Sequence, residues 1–259
     1  MRSNHDGINR RDFLKLTAAG AAAVAGARVI QEANASSGAP HGEHQWVMVI
    51  DQSKCVGCGY CTYACQAHND TNPDIEWNTI TRTGSLDDKN VYLPRPCMHC
   101  EKAPCVEVCP VQATTYRDDG IVMMDYDRCI GCRYCEVACP YQARSFNWEG
   151  FTGVNPVVPK WGQPEVERRP RGVVEKCSFC YQRIDRGLEL GLTPGVDPDA
   201  TPACVVICPV GARLFGDLND PNSEVSQLLA THDSYRLREN LGTGPRVYYL
   251  PAEADEMES

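Results

Sequence analysis

The fold of this chain is decided by the stretch Cys129-Ile130-Gly131-Cys132-Arg133-Tyr134-Cys135-Glu136-Val137-Ala138-Cys139-Pro140. Two residues separate the first cysteine from the second and the second from the third, three separate the third from the fourth, and a proline follows at once. A chain with this spacing can curl so that neighbouring thiolates and several backbone N–H groups point at one centre. The stretch therefore predicts a loop wrapped around a metal–sulfur cluster.

The chain has 16 cysteines in 259 residues, and they fall into four groups of four with none left over. In chain order the quartets are Cys55, Cys58, Cys61 and Cys65; Cys97, Cys100, Cys105 and Cys109; Cys129, Cys132, Cys135 and Cys139; and Cys177, Cys180, Cys204 and Cys208. The first and third have the spacing of bacterial ferredoxins, in which the fourth cysteine binds the neighbouring cluster. We therefore expect four [4Fe–4S] clusters with every cysteine as a ligand.

A proline follows the last cysteine of every quartet except the first, where Gln66 follows Cys65. Proline has a fixed φ and no N–H, which suits the first turn of a helix. We expect the last cysteine to start a helix that leads away and to face a second cluster. We also expect Gln66 to matter little, since ligation does not need the proline.

Three other uses of the cysteines are open at this point. A disulfide framework is common in exported proteins, structural zinc is held by paired cysteines, and an incomplete quartet could hold a [3Fe–4S] cluster. Disulfides between cysteines only two residues apart would crosslink little of the chain. Zinc sites use two well-separated pairs of cysteines, whereas ferredoxin quartets put three ligands close together. Every quartet is complete, so full [4Fe–4S] occupancy is favoured.

Internal repeats indicate how the quartets pair. Residues 47–51, before the first quartet, resemble residues 121–125, before the third, and each segment ends with an aspartate four residues ahead of its cysteine. Residues 105–113 are echoed by residues 204–212. We expect quartets two and three to form an inner two-cluster unit, and quartets one and four an outer unit around it.

The predicted fold class is α+β, with two pseudo-symmetric bacterial-ferredoxin-like units that are rich in loops and built around the clusters. Residues 118–120 (Asp-Asp-Gly) signal a β-hairpin between Thr114–Arg117 and Ile121–Asp125. Leu214–Leu218 would be the closing strand of the outer unit. The predicted segments are a signal peptide (1–35), the outer unit (36–90 plus 150–220), the inner unit (91–149) and a C-terminal extension (221–259).

The N-terminus resembles a twin-arginine export signal. Arg10 and Arg11 precede Asp-Phe-Leu-Lys, an Ala- and Gly-rich run covers residues 16–27, and Ala33-Asn34-Ala35 offers a cleavage site. A membrane anchor or an amphipathic helix is the alternative, but the run is short for a span. We expect a water-soluble protein in the periplasm or on the outer face of the cytoplasmic membrane, attached through partners.

The net charge of −9, from 25 basic and 34 acidic residues, argues against nucleic-acid binding. The one basic cluster, Arg168, Arg169 and Arg171, is too short to change this expectation. An acidic surface suits docking to proteins. The sequence has no phosphate-binding glycine loop and no nucleophile elbow, so we predict no catalytic residues.

Five segments carry a specific resemblance: Pro96–Cys100, Cys129–Cys135, Ala138–Tyr141, Lys176–Cys180 and Phe215–Pro221. With them the chain resembles the four-cluster iron–sulfur subunits of the DMSO reductase superfamily complexes, such as those of polysulfide and tetrathionate reductases and formate dehydrogenase. Related subunits serve periplasmic hydrogenase and nitrite reductase. Some relatives have Trp at the position of Cys132 and hold a [3Fe–4S] cluster, so the nitrate reductase branch fits less well.

The resemblance implies four ligand sets. Set A is Cys55, Cys58, Cys61 and Cys208; set B is Cys65, Cys177, Cys180 and Cys204; set C is Cys97, Cys100, Cys105 and Cys139; and set D is Cys109, Cys129, Cys132 and Cys135.

The resemblance also implies a non-catalytic electron relay in a membrane-associated respiratory oxidoreductase. Its partners would be a catalytic subunit, molybdopterin-dependent by resemblance, or a multihaem cytochrome, and a polytopic quinone-interacting membrane subunit. The alternatives are a relay for a periplasmic hydrogenase or multihaem cytochrome complex, and a zinc-binding structural protein.

Charged and aromatic residues beside the ligands have expected roles as well. Lysines and arginines next to ligands would raise cluster potentials, but solvated side chains on loops are the simpler expectation. These residues are Lys54, Lys102, Arg128, Arg133 and Lys176. We predict that His99 packs beside the second quartet, whose four cysteines are already present. We expect Trp148 to be a core aromatic residue, and the alternative is that it lines an electron exit.

Overall fold

The computed structural model describes residues 42–86 and 89–252. The predicted signal peptide, residues 1–35, lies outside the described residues. The strands are β1 (Trp46–Asp51), β2 (Thr79–Leu86), β3 (Lys89–Arg95), β4 (Thr114–Tyr116), β5 (Val122–Met124), β6 (Ser145–Phe146), β7 (Val174–Glu175), β8 (Arg213–Asp217) and β9 (Val247–Leu250). The helices are α1 (Tyr60–His68), α2 (Pro104–Glu107), α3 (Tyr134–Ala138), α4 (Tyr181–Glu189), α5 (Ala203–Val206) and α6 (Glu224–Thr231), with 3₁₀ turns at Pro198–Ala200 and Glu239–Leu241.

The mixture of short helices, short strands and long loops confirms the α+β prediction at the level of fold class. No described helix exceeds nine residues, and none combines the length and hydropathy needed to cross a bilayer.

The central sheet has the order β8-β1-β9. Strand β1 is buried along its whole length and pairs antiparallel with β8, from Trp46 opposite Asp217 to Ile50 opposite Arg213. The predicted closing strand is therefore confirmed, one residue earlier than expected. The other neighbour of β1 is β9, which runs parallel to it and comes from the C-terminal extension, where we predicted no strand.

The predicted hairpin is also confirmed. Strands β4 and β5 pair antiparallel, from Thr114 opposite Met124 to Tyr116 opposite Val122. The turn needs Gly120, because its φ is +77° and a Cβ there would lie 2.1 Å from the guanidinium of Arg246. Other two-stranded sheets join β2 to β3 and β6 to β7.

The expectation that the fourth cysteine starts a helix was wrong. Helix α3 runs from Tyr134 to Ala138 and stops before Cys139, which is extended with φ −74° and ψ 112°. The cause is Pro140, because a proline disfavours helical backbone in the residue before it. The quartet without a proline behaves differently: α1 continues through Cys65 and Gln66 to His68. The missing proline therefore lengthens this helix, and its effect is larger than we expected.

The buried core is built around cysteines. One contiguous cluster of buried side chains contains Met48, Ile50, Phe179, Phe215 and Tyr249 together with cysteines of every quartet. Its apolar residues come from the central sheet and from the loops of the quartets. The core of the fold therefore contains buried thiols from every quartet.

Candidate iron–sulfur centres

The first and third quartets form the same loop twice. Gly57 and Gly131, each just before the second cysteine, have φ values of 69° and 68°. The next left-handed residue, two positions later, is Gly59 in one loop and Arg133 in the other, and each precedes the first residue of a helix. A Cβ at Gly131 would lie 2.2 Å from the carbonyl oxygen of Gly172, so close backbone approach fixes glycine there.

Two small cavities are each lined by four cysteines. The first is lined by Cys55, Cys58, Cys61 and Cys208, the members predicted for set A. The second is lined by Cys97, Cys100, Cys105 and Cys139, the members predicted for set C. Each cavity is closed by apolar side chains and by one arginine, Arg213 in the first and Arg144 in the second.

The set B cysteines also converge, and all four are buried. Burial raises the pKa of Cys65 well above its usual value, and the negative charges of Cys177, Cys180 and Cys204 raise it further. The Asn69 side chain joins two members, because its Nδ2 lies 3.7 Å from the Sγ of both Cys65 and Cys180. Three segments of the chain therefore meet at this group of thiols.

The set D cysteines are closer to the surface. Burial raises the pKa of Cys135, and the neighbouring charge of Cys129 contributes in the same direction. Cys132 is exposed, and Cys109 is half-buried. Burial alone would raise the pKa of Cys109, but hydrogen bonds from backbone N–H groups, including that of Thr114, lower it. Among the set D cysteines, the described residues thus place Cys129 and Cys135 close together.

The chemistry of these thiols fits iron–sulfur clusters. Burial raises the pKa of Cys100, and the charges of the three other set C thiolates add to the shift. Bound iron would offset that repulsion, since the thiolate is the ligand form and metal binding releases its proton. A bound [4Fe–4S] cluster supplies one-electron transfer. The chain's part is to hold the cluster, exclude water and set the surrounding charge.

The geometry bears on the other uses of cysteine too. All 16 cysteines lie in the described part of the chain and are free thiols, so they form no disulfide framework. Within residues 42–86 and 89–252, no three His, Cys, Asp or Glu side chains converge on a position for a single metal ion. A four-iron cluster needs a wider arrangement, because each thiolate binds a different corner of the cube.

Family models match most of the chain. Two models described as a 4Fe-4S dicluster domain match residues 89–154 and 128–212, and one described as a 4Fe-4S binding domain matches residues 46–67. The model of the twin-arginine translocation pathway signal sequence matches residues 7–27, which confirms the export signal.

Curated relatives extend over four fifths of the chain. The iron–sulfur cluster-binding subunit of menaquinone reductase from Nitratidesulfovibrio vulgaris is 44% identical over 230 residues, covering 80% of this chain and 88% of the relative. A subunit of selenate reductase from Mesobacillus selenatarsenatis is 41% identical, covering 82% and 73%. A subunit of tetrathionate reductase from Salmonella typhimurium is 39% identical, covering 80% and 72%. The chain belongs to this family of iron–sulfur subunits.

This iron–sulfur subunit has buried polar residues at its thiols that sequence reasoning missed. Arg144 and Arg213 are each 4% exposed and donate to cysteine sulfurs. Asn78 donates from Nδ2 to Cys61 Sγ at 3.2 Å, and Asn69 lies beside two sulfurs of set B. The arginines had a signal, Cys-Pro-x-x-Ala-Arg, which occurs at residues 139–144 and 208–213. The two asparagines lie in no repeated pattern.

Two of our expectations for residues near the ligands were wrong. Lys176 is not solvated: it is 2% exposed, and its Nζ donates to the carbonyl oxygens of Val122 and Cys177. Trp148 is not in the core: it is 60% exposed and lies under the guanidinium of Arg133. Their sequence neighbourhoods, a loop lysine and an aromatic pair, suggested the opposite in each case.

The prediction that His99 packs beside the second quartet is confirmed. Its ring is fully buried and stacks on Phe179 with centroids 3.8 Å apart. The backbone N–H of Val122 donates to its Nδ1 at 3.1 Å. Burial lowers the pKa of His99 well below its usual value, and the positive charge of Lys176 lowers it further, so the imidazole is neutral.

Proposed function

We propose that this iron–sulfur subunit relays electrons through four [4Fe–4S] clusters in the order A, B, C, D. The clusters would be held by the four ligand sets defined above. The observation that carries the order is the burial of the thiols: sets A and D each contain one exposed cysteine, Cys58 and Cys132, whereas sets B and C contain none. Electrons would therefore enter and leave at A and D.

Contacts between sets support the same order. Cys61 of set A and Cys65 of set B lie one turn apart on α1. Burial raises the pKa of Cys177, in set B, to about 12, and the next largest cause is the charge of Cys97, in set C. Arg144 bonds Cys105 of set C and acts on Cys135 of set D. Each set thus has a direct neighbour in the proposed chain.

The two proposed ends carry exposed apolar side chains. Val56 is 57% exposed beside Cys58, and Ile130 is 63% exposed beside Cys132. Tyr134 and Val137, on α3 next to set D, are also exposed. Apolar residues clustered on a surface mark docking sites for other proteins, so we assign one end to each of two partners.

The names of the relatives suggest what those partners are. They are subunits of a menaquinone reductase, a selenate reductase and a tetrathionate reductase. We infer that this subunit connects a catalytic reductase subunit, molybdopterin-dependent by resemblance, with a quinone-interacting membrane subunit. The twin-arginine signal puts the export-competent protein on the periplasmic side of the membrane, where it would be held through these partners.

We also propose two pseudo-symmetric units. The outer unit (36–90 and 150–220) would hold clusters A and B, and the inner unit (91–149) clusters C and D. The repeated glycine geometry of the first and third loops supports this division. So does the likeness of the turns after Cys109 and Cys208, where the N–H of Ala113 and Ala212 donates to the cysteine sulfur at 3.2 and 3.3 Å.

Ligand exchange between quartets is the testable core of this proposal. In the purified full chain, Cys65→Ser and Cys180→Ser should alter the same EPR signal of the reduced protein, because both belong to set B. Cys61→Ser should alter a different signal, although Cys61 lies in the same quartet as Cys65. If Cys61→Ser and Cys65→Ser changed one signal together, the exchange would be refuted.

The relay itself predicts interaction between clusters. When the full chain is reduced by dithionite, neighbouring clusters should broaden and split one another's EPR signals. Four independent signals without spin coupling would contradict a relay with adjacent clusters.

A further inference from the structure

Two buried arginines follow the last cysteine of a quartet at the same spacing, one in each proposed unit. Arg144 is the fifth residue after Cys139, and Arg213 is the fifth residue after Cys208, each within a Cys-Pro-x-x-Ala-Arg segment. In both turns an alanine N–H bonds the cysteine sulfur and fixes the chain direction just before the arginine. The same local structure therefore places a guanidinium five residues after the last cysteine of a quartet in both units.

Arg144 lies between sets C and D. Its Nη2 donates to the Sγ of Cys105, a set C member, at 3.1 Å. Burial raises the pKa of Cys135, a set D member, and both the charge of Arg144 and a hydrogen bond from it act against that shift. The guanidinium is also held by Thr114, whose Oγ1 accepts from Nη1 at 3.2 Å.

Arg213 lies between sets A and B. Its Nη1 is 3.7 Å from the Sγ of Cys204, a set B member. Its Nη2 donates to Asn78 Oδ1 at 2.5 Å, and the Nδ2 of that asparagine donates to Cys61 Sγ, in set A, at 3.2 Å. Arg213 also lines the cavity of set A. Its contacts thus reach cysteines of both set A and set B.

Neither arginine has a carboxylate partner among the described residues. Both are 4% exposed, and in the described part of the chain no Asp or Glu oxygen lies within 4.0 Å of either guanidinium. An unpaired buried charge is costly, so buried charges are normally paired or bound to an ion. Thiolates supply the negative charge here: those of Cys105, Cys135 and Cys97 act on Arg144, and those of Cys61, Cys204 and Cys208 on Arg213.

We propose that Arg144 and Arg213 are matched potential-setting residues, each placed between the two clusters of one pair and favouring the reduced form of both. The inference rests on the proposed four-cluster relay. Reduction adds negative charge to a cluster, and a fixed positive charge in a low-dielectric interior stabilises that charge. Net charge and hydrogen bonds to sulfur are known determinants of cluster potential. The guanidinium supplies both, and its charge does not titrate at physiological pH.

The test is an EPR-monitored redox titration of full-length variants, each first analysed for iron and sulfide. Arg144→Gln should lower the midpoint potentials of two clusters, and Arg213→Gln should lower those of the other two. Arg144→Lys and Arg213→Lys keep the charge and should remain closer to the wild type. Arg128→Gln removes a charge from an exposed position next to Cys129, so solvent screening should leave the potentials nearly unchanged.

Unchanged potentials in both glutamine variants would overturn the inference, as would a shift of the same two clusters by both. A cluster missing from Arg144→Gln but present in Arg144→Lys would assign the arginine to cluster assembly and would also overturn the inference.

Met124→Glu is a second test, and it leaves the arginine in place. Met124 Sδ lies 3.6 Å from Arg144 Nη1. The added carboxylate should lower the same two potentials, and no shift in that variant would count against the inference.

The titration separates this inference from the function on which it rests. If the wild-type protein has four clusters and neither arginine variant changes their potentials, only the inference is refuted. A wild-type protein with fewer than four clusters would refute the proposed relay.

Discussion

Arg169 and Glu175 form an ion pair that is almost fully shielded from solvent. The Arg169 Nε lies 3.2 Å from Glu175 Oε2, and the two side chains are 3% and 1% exposed. Trp77 Nε1 donates to the same carboxylate oxygen at 3.1 Å, and the Arg169 guanidinium lies over the Trp77 ring. Burial raises the pKa of Glu175, and the positive charge of Arg169 opposes that shift. This pair joins β7 to the loop before it, directly ahead of Lys176 and Cys177.

We predict that Arg169→Met is strongly destabilising, by about 3–5 kcal/mol, because it leaves a buried carboxylate without its partner. The double variant Arg169→Met/Glu175→Gln should recover part of the loss. Arg171→Met removes a neighbouring exposed arginine and is the control. Thermal unfolding of the cluster-loaded chain measures the stability of all three variants. Equal melting temperatures for Arg169→Met and Arg171→Met would contradict this role of the ion pair.

The pH dependence of Arg169→Met has a definite sign. Without Arg169 the pKa of Glu175 in the folded state should rise further above its unfolded value of about 4.3. A carboxyl with a raised folded pKa favours folding when protonated, so its contribution is present at low pH and is lost as pH rises through the folded pKa. The variant should therefore lose stability relative to the wild type as pH increases above about 4.3.

At the scale of elements, the single residue after the fourth cysteine decides where a helix ends. Pro140 ends α3 ahead of Cys139, whereas Gln66 lets α1 continue to His68. This contrast is visible in the sequence. Proline favours the first turn of a helix, which led to the expectation of a helix starting at the fourth cysteine, but its effect on the backbone of the preceding residue is the stronger one here.

We predict that Gln66→Pro shortens α1 and destabilises the chain by about 3 kcal/mol, since it removes a helix hydrogen bond and clashes with the preceding turn. For a chain of this size the melting temperature should fall by about 6–12 °C. Gln66→Ala is the control, because it removes the side-chain bonds to Pro73 and Ile75 but keeps the backbone N–H. If Gln66→Pro and Gln66→Ala had the same melting temperature, the helix would not depend on the backbone at this position.

Elements set by local spacing were predictable, and elements set by distant pairing were not. The hairpin of β4 and β5 follows from an Asp-Asp-Gly turn within one short segment. Strand β9 has four residues and pairs with β1 across the length of the chain, so no local pattern identifies it. The buried arginines were missed for a related reason: arginine in a loop normally predicts solvent exposure, and only the neighbouring thiolates compensate its burial.

At the scale of the whole molecule, export and cofactor loading are linked. The twin-arginine route carries folded proteins, and a protein with buried thiols in sets B and C must acquire its clusters before or during folding. We predict that replacing Arg10 and Arg11 by Lys retains the cluster-loaded protein in the cytoplasm. Cell fractionation with iron analysis of each fraction measures this, and unchanged export would refute the signal assignment.

The central claim is that the cysteine quartets together hold four [4Fe–4S] clusters. The most direct measurement is iron and acid-labile sulfide analysis of the purified, anaerobically prepared chain, with zinc determined in the same sample. We predict about four irons and four sulfides for every four cysteines, and no stoichiometric zinc. Stoichiometric zinc without sulfide would contradict the claim.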